Sequence, residues 1–320
     1  MHKLRITAFL DDRPGHLKQT RGILEALDTI ADIMVTEVNV PIPGIPSQAG
    51  QWASWFAGRS RIPDECRSSV YPPDLIIGTG THTHLPMLQY KRACQAPAAT
   101  CMTPSSLLVK HFDLCFVPAH DNPSDKPNLF ETLGPPNTAR DLGGHEPDKG
   151  LLAIGGVDEK NHVWNSDDVL AKATEIIKAY PDIHWTVTSS FRTPEDMLAK
   201  LLQMQDVMPN CTFFNARDTG PGWIEEQYNQ ADMCWVTADS VSMTYEALSA
   251  GCKVGVIPVT WKNPSGKIAR GLDRLYKEKW VLCFDDFFHD KQTWEKRQAL
   301  DEAGRAAREI LKRWRPDLLL

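Results

Sequence analysis

Four short stretches of the chain carry residue types and spacings that could do chemistry. Asp11-Asp12-Arg13-Pro14-Gly15-His16 sets acids, a base and an imidazole in one loop after an apolar run. A histidine that titrates near neutrality suits removing a proton from a sugar hydroxyl, and a carboxylate such as Asp12 would orient His16 and stabilise its charge. The same loop also reads as a plain helix start, with Asp12 as cap and His16 as a polar first-turn residue. Ile154-Gly155-Gly156 either lets backbone approach a ligand closely or makes an ordinary tight turn. In Ser189-Ser190-Phe191-Arg192-Thr193-Pro194, Arg192 could meet a phosphate through a charge-assisted fork, or simply sit on a strand-to-helix turn. In Asp239-Ser240-Val241-Ser242-Met243-Thr244-Tyr245-Glu246, Asp239 or Ser240 can cap a helix whose free N–H groups favour a diphosphate. Glu246, acceptor-only when ionised, suits two ribose hydroxyls. The bland alternative is an unremarkable helix start with Glu246 on the surface.

These stretches follow short apolar runs that read as buried parallel strands. The runs at 6–10, 35–40, 75–78 and 114–117 lie in the first half, and those at 151–154, 185–188, 233–237 and 254–258 in the second. Helix-period segments at 19–27 and 167–180 alternate with them. That alternation predicts an α/β chain of doubly wound units, with ligands at the carboxyl ends of strands. Residues 118–150 are rich in Pro and Gly, which places a domain boundary there. The expected organisation is an N-terminal Rossmann-like domain over 1–148, a C-terminal Rossmann-like domain over 149–290, the two facing a cleft, and a helix at 291–320 docking back on the body. Residues 291–315 carry eight basic and four acidic side chains, read as the solvated face of that helix, with a membrane-surface patch as the alternative.

Composition narrows the function. The 320 residues are 42% hydrophobic and 24% charged, which excludes fibrous and largely disordered classes. A net charge of −6 makes a poor general nucleic-acid binder, so no nucleic-acid partner is expected. No apolar run is long enough to span a membrane, and the N-terminal stretch lacks the features of a signal peptide. Eight scattered cysteines without C-x-x-C spacing read as reduced thiols, so a cytoplasmic protein is expected. His82 and His84 are too few to hold a metal, and D-x-D is absent, so no metal is expected. Gly78-Thr79-Gly80 lacks the third glycine of a dinucleotide fingerprint, Gly266-Lys267 lacks the upstream glycine of a P-loop, and there is no G-x-S-x-G elbow.

D-D-R-P-G-H-x-x-Q after the first run, the S-x-R-T-P turn, and V-T-A-D-S-V-S-M-x-x-E-A-L-x-x-G together resemble the mitochondrial-fission factor family first described in plants. Its bacterial members are described as glycosyltransferases or nucleoside-diphosphate-sugar epimerases. The resemblance spans residues 6–290, with one departure at Phe191, where a second basic residue is expected. That family is similar to GT-B glycosyltransferases, and the likeness implies two Rossmann-like domains facing a cleft, with the donor nucleotide on the second. It implies phosphate and ribose roles for Ser240, Ser242 and Glu246, a diphosphate role for Gly155 and Gly156, and an acceptor-side role for the Asp12/His16 loop. The activity implied is metal-independent transfer of a sugar from a nucleotide-sugar donor to a hydroxyl of a cell-envelope glycan or lipid precursor, read as inverting, with retention left open. His16 would act as base, and Ser189, Arg192 and Asp239 would complete the donor site. No cofactor is expected beyond the nucleotide-sugar co-substrate; the other expected partner is a glycan or lipid-linked acceptor, with peripheral contact at the inner face of a membrane left open. An epimerase and a non-catalytic fission-type adaptor are the rival readings.

Overall fold

The computed structural model describes residues 3–42, 44–294 and 298–319. Two compact units emerge, one of Met1–Thr138 with Asp301–Leu320, the other of Ala139–Leu300.

The first unit runs β1 (Leu4–Leu10), α1 (Pro14–Asp28), β2 (Ile33–Asn39), α2 (Ile45–Phe56), β3 (Leu75–Thr79), α3 (Thr81–Cys94), β4 (Ala98–Cys101), β5 (Leu114–Pro118) and β6 (Leu129–Thr132). Its six strands are all parallel, in the order β2-β1-β3-β4-β5-β6. Ile6 lies between Val35 on one neighbour and Leu75 on the other. Strand alternation splits β1 between two cores: Leu4, Ile6, Ala8 and Leu10 face one cluster and Phe9 the other. Near-continuous apolar strands are what a parallel sheet covered on both faces requires.

The second unit runs β7 (Glu146–Ala153), β8 (His162–Val163), α4 (Ser166–Ala179), β9 (His184–Thr188), α5 (Glu195–Val207), β10 (Cys211–Phe214), α6 (Trp223–Gln230), β11 (Ala231–Thr237), α7 (Val241–Ser249), β12 (Lys253–Ile257), β13 (Thr260–Trp261), α8 (Lys267–Lys277), β14 (Val281–Cys283) and α9 (Phe284–Phe288). Its six-stranded sheet is parallel in the order β10-β9-β7-β11-β12-β14, and β8 pairs antiparallel with β13. Trp185 and Trp235 are fully buried in the core under α4 and α5.

The chain then returns to the first unit as α10 (Glu302–Trp314), capped by the Asp301 carboxylate, which accepts from the Gly304 N–H at 2.8 Å. Ala303, Ala306, Ala307, Ile310 and Leu311 form its buried stripe at helical spacing. The basic residues on the other face are largely matched: Arg305 pairs with Glu302, Arg308 with Asp301 and Arg313 with Glu309. The helix is shorter than the 291–315 pattern, and positions 295–297 of that pattern lie outside the described residues. The units divide at Thr138/Ala139 rather than at 148/149. The reason is local: His145 Nδ1 bonds the Ala231 carbonyl at 2.7 Å and its Nε2 the Ala250 carbonyl at 2.8 Å, so the segment before β7 belongs to the second sheet. All eight cysteines are free thiols, six of them buried. No described helix is long and apolar enough to cross a membrane.

Candidate functional site

In an open parallel sheet, ligands bind beyond the carboxyl ends of the strands at the point where the winding reverses. The first unit reverses between β1 and β3, and His16 stands there. Its Nδ1 lies 2.8 Å from Asp11 Oδ2 and 3.0 Å from Oδ1. A carboxylate can only accept, so Nδ1 carries the proton and Nε2 is left with the lone pair. Asp11 is buried and the His16 side chain is 11% exposed, so the pairing is shielded while the ring still reaches solvent. The partner is therefore Asp11 and not Asp12, which is exposed and does not cap α1 either, since Arg13 occupies the N-cap without a side-chain cap. Successive side chains leave a strand end in opposite directions, so the two acids cannot both face the ring.

β3 builds the other wall. Gly80 holds φ +97°, a conformation that side-chain-bearing residues rarely adopt, and a Cβ there would lie 2.3 Å from His16 Nδ1. His82 and His84 lie in the first turn of α3. Arg13 Nη2 donates to His82 Nε2 at 3.3 Å. His84 is 1% exposed and its Nε2 has no hydrogen-bond partner among the described residues. Burial first, then the charges of His16 and His82, pull its pKa down to about 4. Among the described residues no three His, Cys, Asp or Glu side chains are grouped to hold a metal ion.

The second unit reverses between β7 and β11, which brings together Gly155, Gly156, Arg192, Asp239 and Ser240. Their contacts are mutual. Arg192 Nη2 donates to Asp239 Oδ2 at 2.8 Å, and Nη1 to the Gly156 carbonyl at 3.2 Å. The Gly156 N–H donates to Asp239 Oδ2 at 3.0 Å and the Gly155 N–H to Thr237 Oγ1 at 2.7 Å. The expectation that the glycine amides face a diphosphate is corrected: both N–H groups are already bonded. The glycines are needed for protein packing, since a Cβ on Gly156 would lie 2.1 Å from the Arg192 carbonyl and one on Gly155 2.2 Å from Asp239 Oδ2. Arg192 likewise is not a free phosphate fork but the partner of a fully buried carboxylate. Ser189 is buried and accepts from the Ala216 N–H at 3.0 Å, so it ties β9 to the next loop and is not placed for a ligand. Thr193, which drew no attention in the sequence, is the hub of the turn, bonded to the Gly155 carbonyl and to the Ser190 N–H. Phe191 stands 75% exposed at the tip.

The start of α7 lacks a side-chain cap. Ser240 is its N-cap and makes no side-chain cap bond, so the first-turn amides of Val241, Ser242 and Met243 have no cap side chain. Ser242 is exposed on that turn. Glu246 is buried, which removes the surface reading, and its charge adds to burial in pushing the Tyr228 hydroxyl well above its usual range.

The family described as "Mitochondrial fission ELM1" matches residues 14–314. The chain belongs to that family. No curated protein matches it by sequence. Among solved structures, UDP-GlcNAc 2-epimerase from Methanocaldococcus jannaschii is similar at 11% identity and TM-score 0.58, covering 96% of this chain and 98% of that one. The S. aureus MnaA–UDP co-structure is similar at 13% identity and TM-score 0.54, covering 99% and 98%. The glycotransferase of kitacinnamycin is similar at 14% identity and TM-score 0.50, covering 99% and 95%. The ELM1-family chain thus has the two-domain, Rossmann-like GT-B fold.

Proposed function

We propose that this ELM1-family chain is a nucleotide-sugar enzyme, specifically a glycosyltransferase that moves a sugar from a nucleotide-sugar donor to a hydroxyl of a cell-envelope glycan or lipid precursor. The observation that carries the reading is the Asp11–His16 pair at the reversal point of the first sheet. His16 Nε2 takes the acceptor proton, the acceptor oxygen bonds the anomeric carbon, and the bond from that carbon to the diphosphate breaks. Asp11 fixes the tautomer and stabilises the imidazolium that forms. Negative charge then grows on the departing diphosphate, where preorganised donors lower the barrier. The uncapped amides at the start of α7 with the Ser240 and Ser242 hydroxyls suit that role, and Glu246 suits the ribose. Arg192 and Asp239 act one layer behind, as a neutral pair that holds the Gly156 turn in place. This division needs no metal, since helix amides replace the cation.

A nucleoside-diphosphate-sugar epimerase is the second reading, favoured by whole-length likeness to two structures, one named as a UDP-GlcNAc 2-epimerase and one holding UDP. Product analysis separates the two. Incubation with UDP, GDP, CMP and ADP sugars, without and with glycan acceptors, is expected to release free nucleotide fastest when acceptor is present. Conversion of the sugar while still nucleotide-linked supports the epimerase instead. No conversion of any donor contradicts both and leaves a non-catalytic adaptor.

A further inference from the structure

We infer that the first unit carries a separate pocket for an uncharged, pyranose-sized polyhydroxyl group, the acceptor sugar of the proposed transfer; the inference rests on that reading. A cavity of 280 Å³ opens where the carboxyl ends of β1 and β2 meet α2 and α3. Pockets for drug-sized ligands run from about 300 to 1,000 Å³, so this one takes something smaller, of single-ring size. Its floor is apolar and buried, formed by Phe9, Val38 and Val40. Its rim is polar: Asn39, Gln51, Arg61 and Glu65 line it, and none of their side chains makes a hydrogen bond or ion pair with a described residue. A sugar ring offers the matching pair of surfaces, a C–H face for the aromatic and aliphatic floor and hydroxyls for amides and carboxylates at the edge. An acyl chain would leave that rim unpaired against apolar surface. An anion such as phosphate would find Glu65 beside the single Arg61, and Asp64 paired to Arg67 at 2.9 Å, so the lining offers it no net positive charge.

Position connects the pocket to the chemistry. Phe9 on the floor lies two residues before Asp11, and the Val40 N–H donates to the Leu10 carbonyl at 2.7 Å. The pocket wall therefore lies one strand spacing, about 4.8 Å, from the strand end that carries the Asp11–His16 pair.

The test needs no donor. Saturation-transfer NMR of the full chain with methyl glycopyranosides, and in parallel with octanoate and inorganic phosphate, reads the pocket directly. Saturation of ring protons is expected for at least one glycoside. It should fall about tenfold in Ser47→Trp, which fills the exposed rim, and by a similar factor in a Gln51→Ala/Glu65→Gln double variant that loses hydrogen-bond partners. No transfer to any glycoside, undiminished transfer in Ser47→Trp, or stronger transfer to octanoate or phosphate overturns the inference. Both variants should retain the wild-type melting temperature and the wild-type affinities for UDP, GDP, CMP and ADP. Absent binding of UDP, GDP, CMP and ADP in every form defeats the transferase reading, which is a different failure from an empty sugar pocket.

Discussion

The two sheets reverse their winding in the same way and use the reversal differently. At β1/β3 the side chains leave chemistry unspent: the His16 Nε2 lone pair and a buried His84 nitrogen without a partner among the described residues. At β7/β11 the charged groups are spent on one another, Arg192 on Asp239 and the glycine amides on Asp239 and Thr237. A base must keep one nitrogen free, whereas a diphosphate site can rely on helix amides, provided the turn beneath them is rigid. The Arg192–Asp239 pair supplies that rigidity. On the proposed reading, reactive residues concentrate in the first unit and binding geometry in the second.

The largest expected effect breaks this asymmetry on the reactive side. His16→Ala should lower turnover by about 10²–10⁴ and leave nucleotide affinity nearly unchanged. Asp11→Asn should follow it, while Asp12→Asn should not. Wild-type turnover in Asp11→Asn removes the pair from the mechanism.

On the binding side the expected loss is structural. Gly156→Ala drives a methyl into the Arg192 backbone and should destabilise the fold by about 1–3 kcal/mol in urea unfolding. Gly15→Ala, with nothing within 4 Å of the new methyl, should stay within about 1 kcal/mol of wild type. Equal midpoints for the two variants contradict the packing role of Gly156.

His84 gives a pH signature specific to the first unit. Its folded pKa, about 4, lies below the ordinary 6.5, so the unfolded chain binds the extra proton. Stability is therefore complete above pH 6.5 and declines as pH falls toward 4, with about 2 kcal/mol lost at pH 5 from this group. His84→Gln should flatten that part of the stability–pH curve. An unchanged curve means that another group carries the acid sensitivity.

Much of this was legible in the sequence because both sheets are parallel and buried. Long apolar runs such as Leu75-Ile76-Ile77 announce their strands. The strands that escaped reading are short or poor in β-branched residues: β4 is Ala98-Ala99-Thr100-Cys101, and β6 hides in the Pro- and Gly-rich stretch. His16, Ser240 and Glu246 stood out because type and spacing marked them. Asp11, not the expected Asp12, meets His16 because composition does not tell which of two adjacent acids faces inward. The amides of Gly155 and Gly156 illustrate a related limit of composition: a glycine pair signals close approach but not whether a ligand or the chain's own Arg192 and Asp239 does the approaching. Thr193 carried no signal, since its role exists only once β7 and β9 are side by side.

Calorimetric titration with UDP, GDP, CMP and ADP measures most directly whether the second unit holds a nucleotide. Saturable 1:1 binding of at least one is expected, weakened by about 1.5–3 kcal/mol in Glu246→Ala through loss of charged hydrogen bonds. No heat with any of the four, or equal affinity in wild type and Glu246→Ala, contradicts the donor site built on α7.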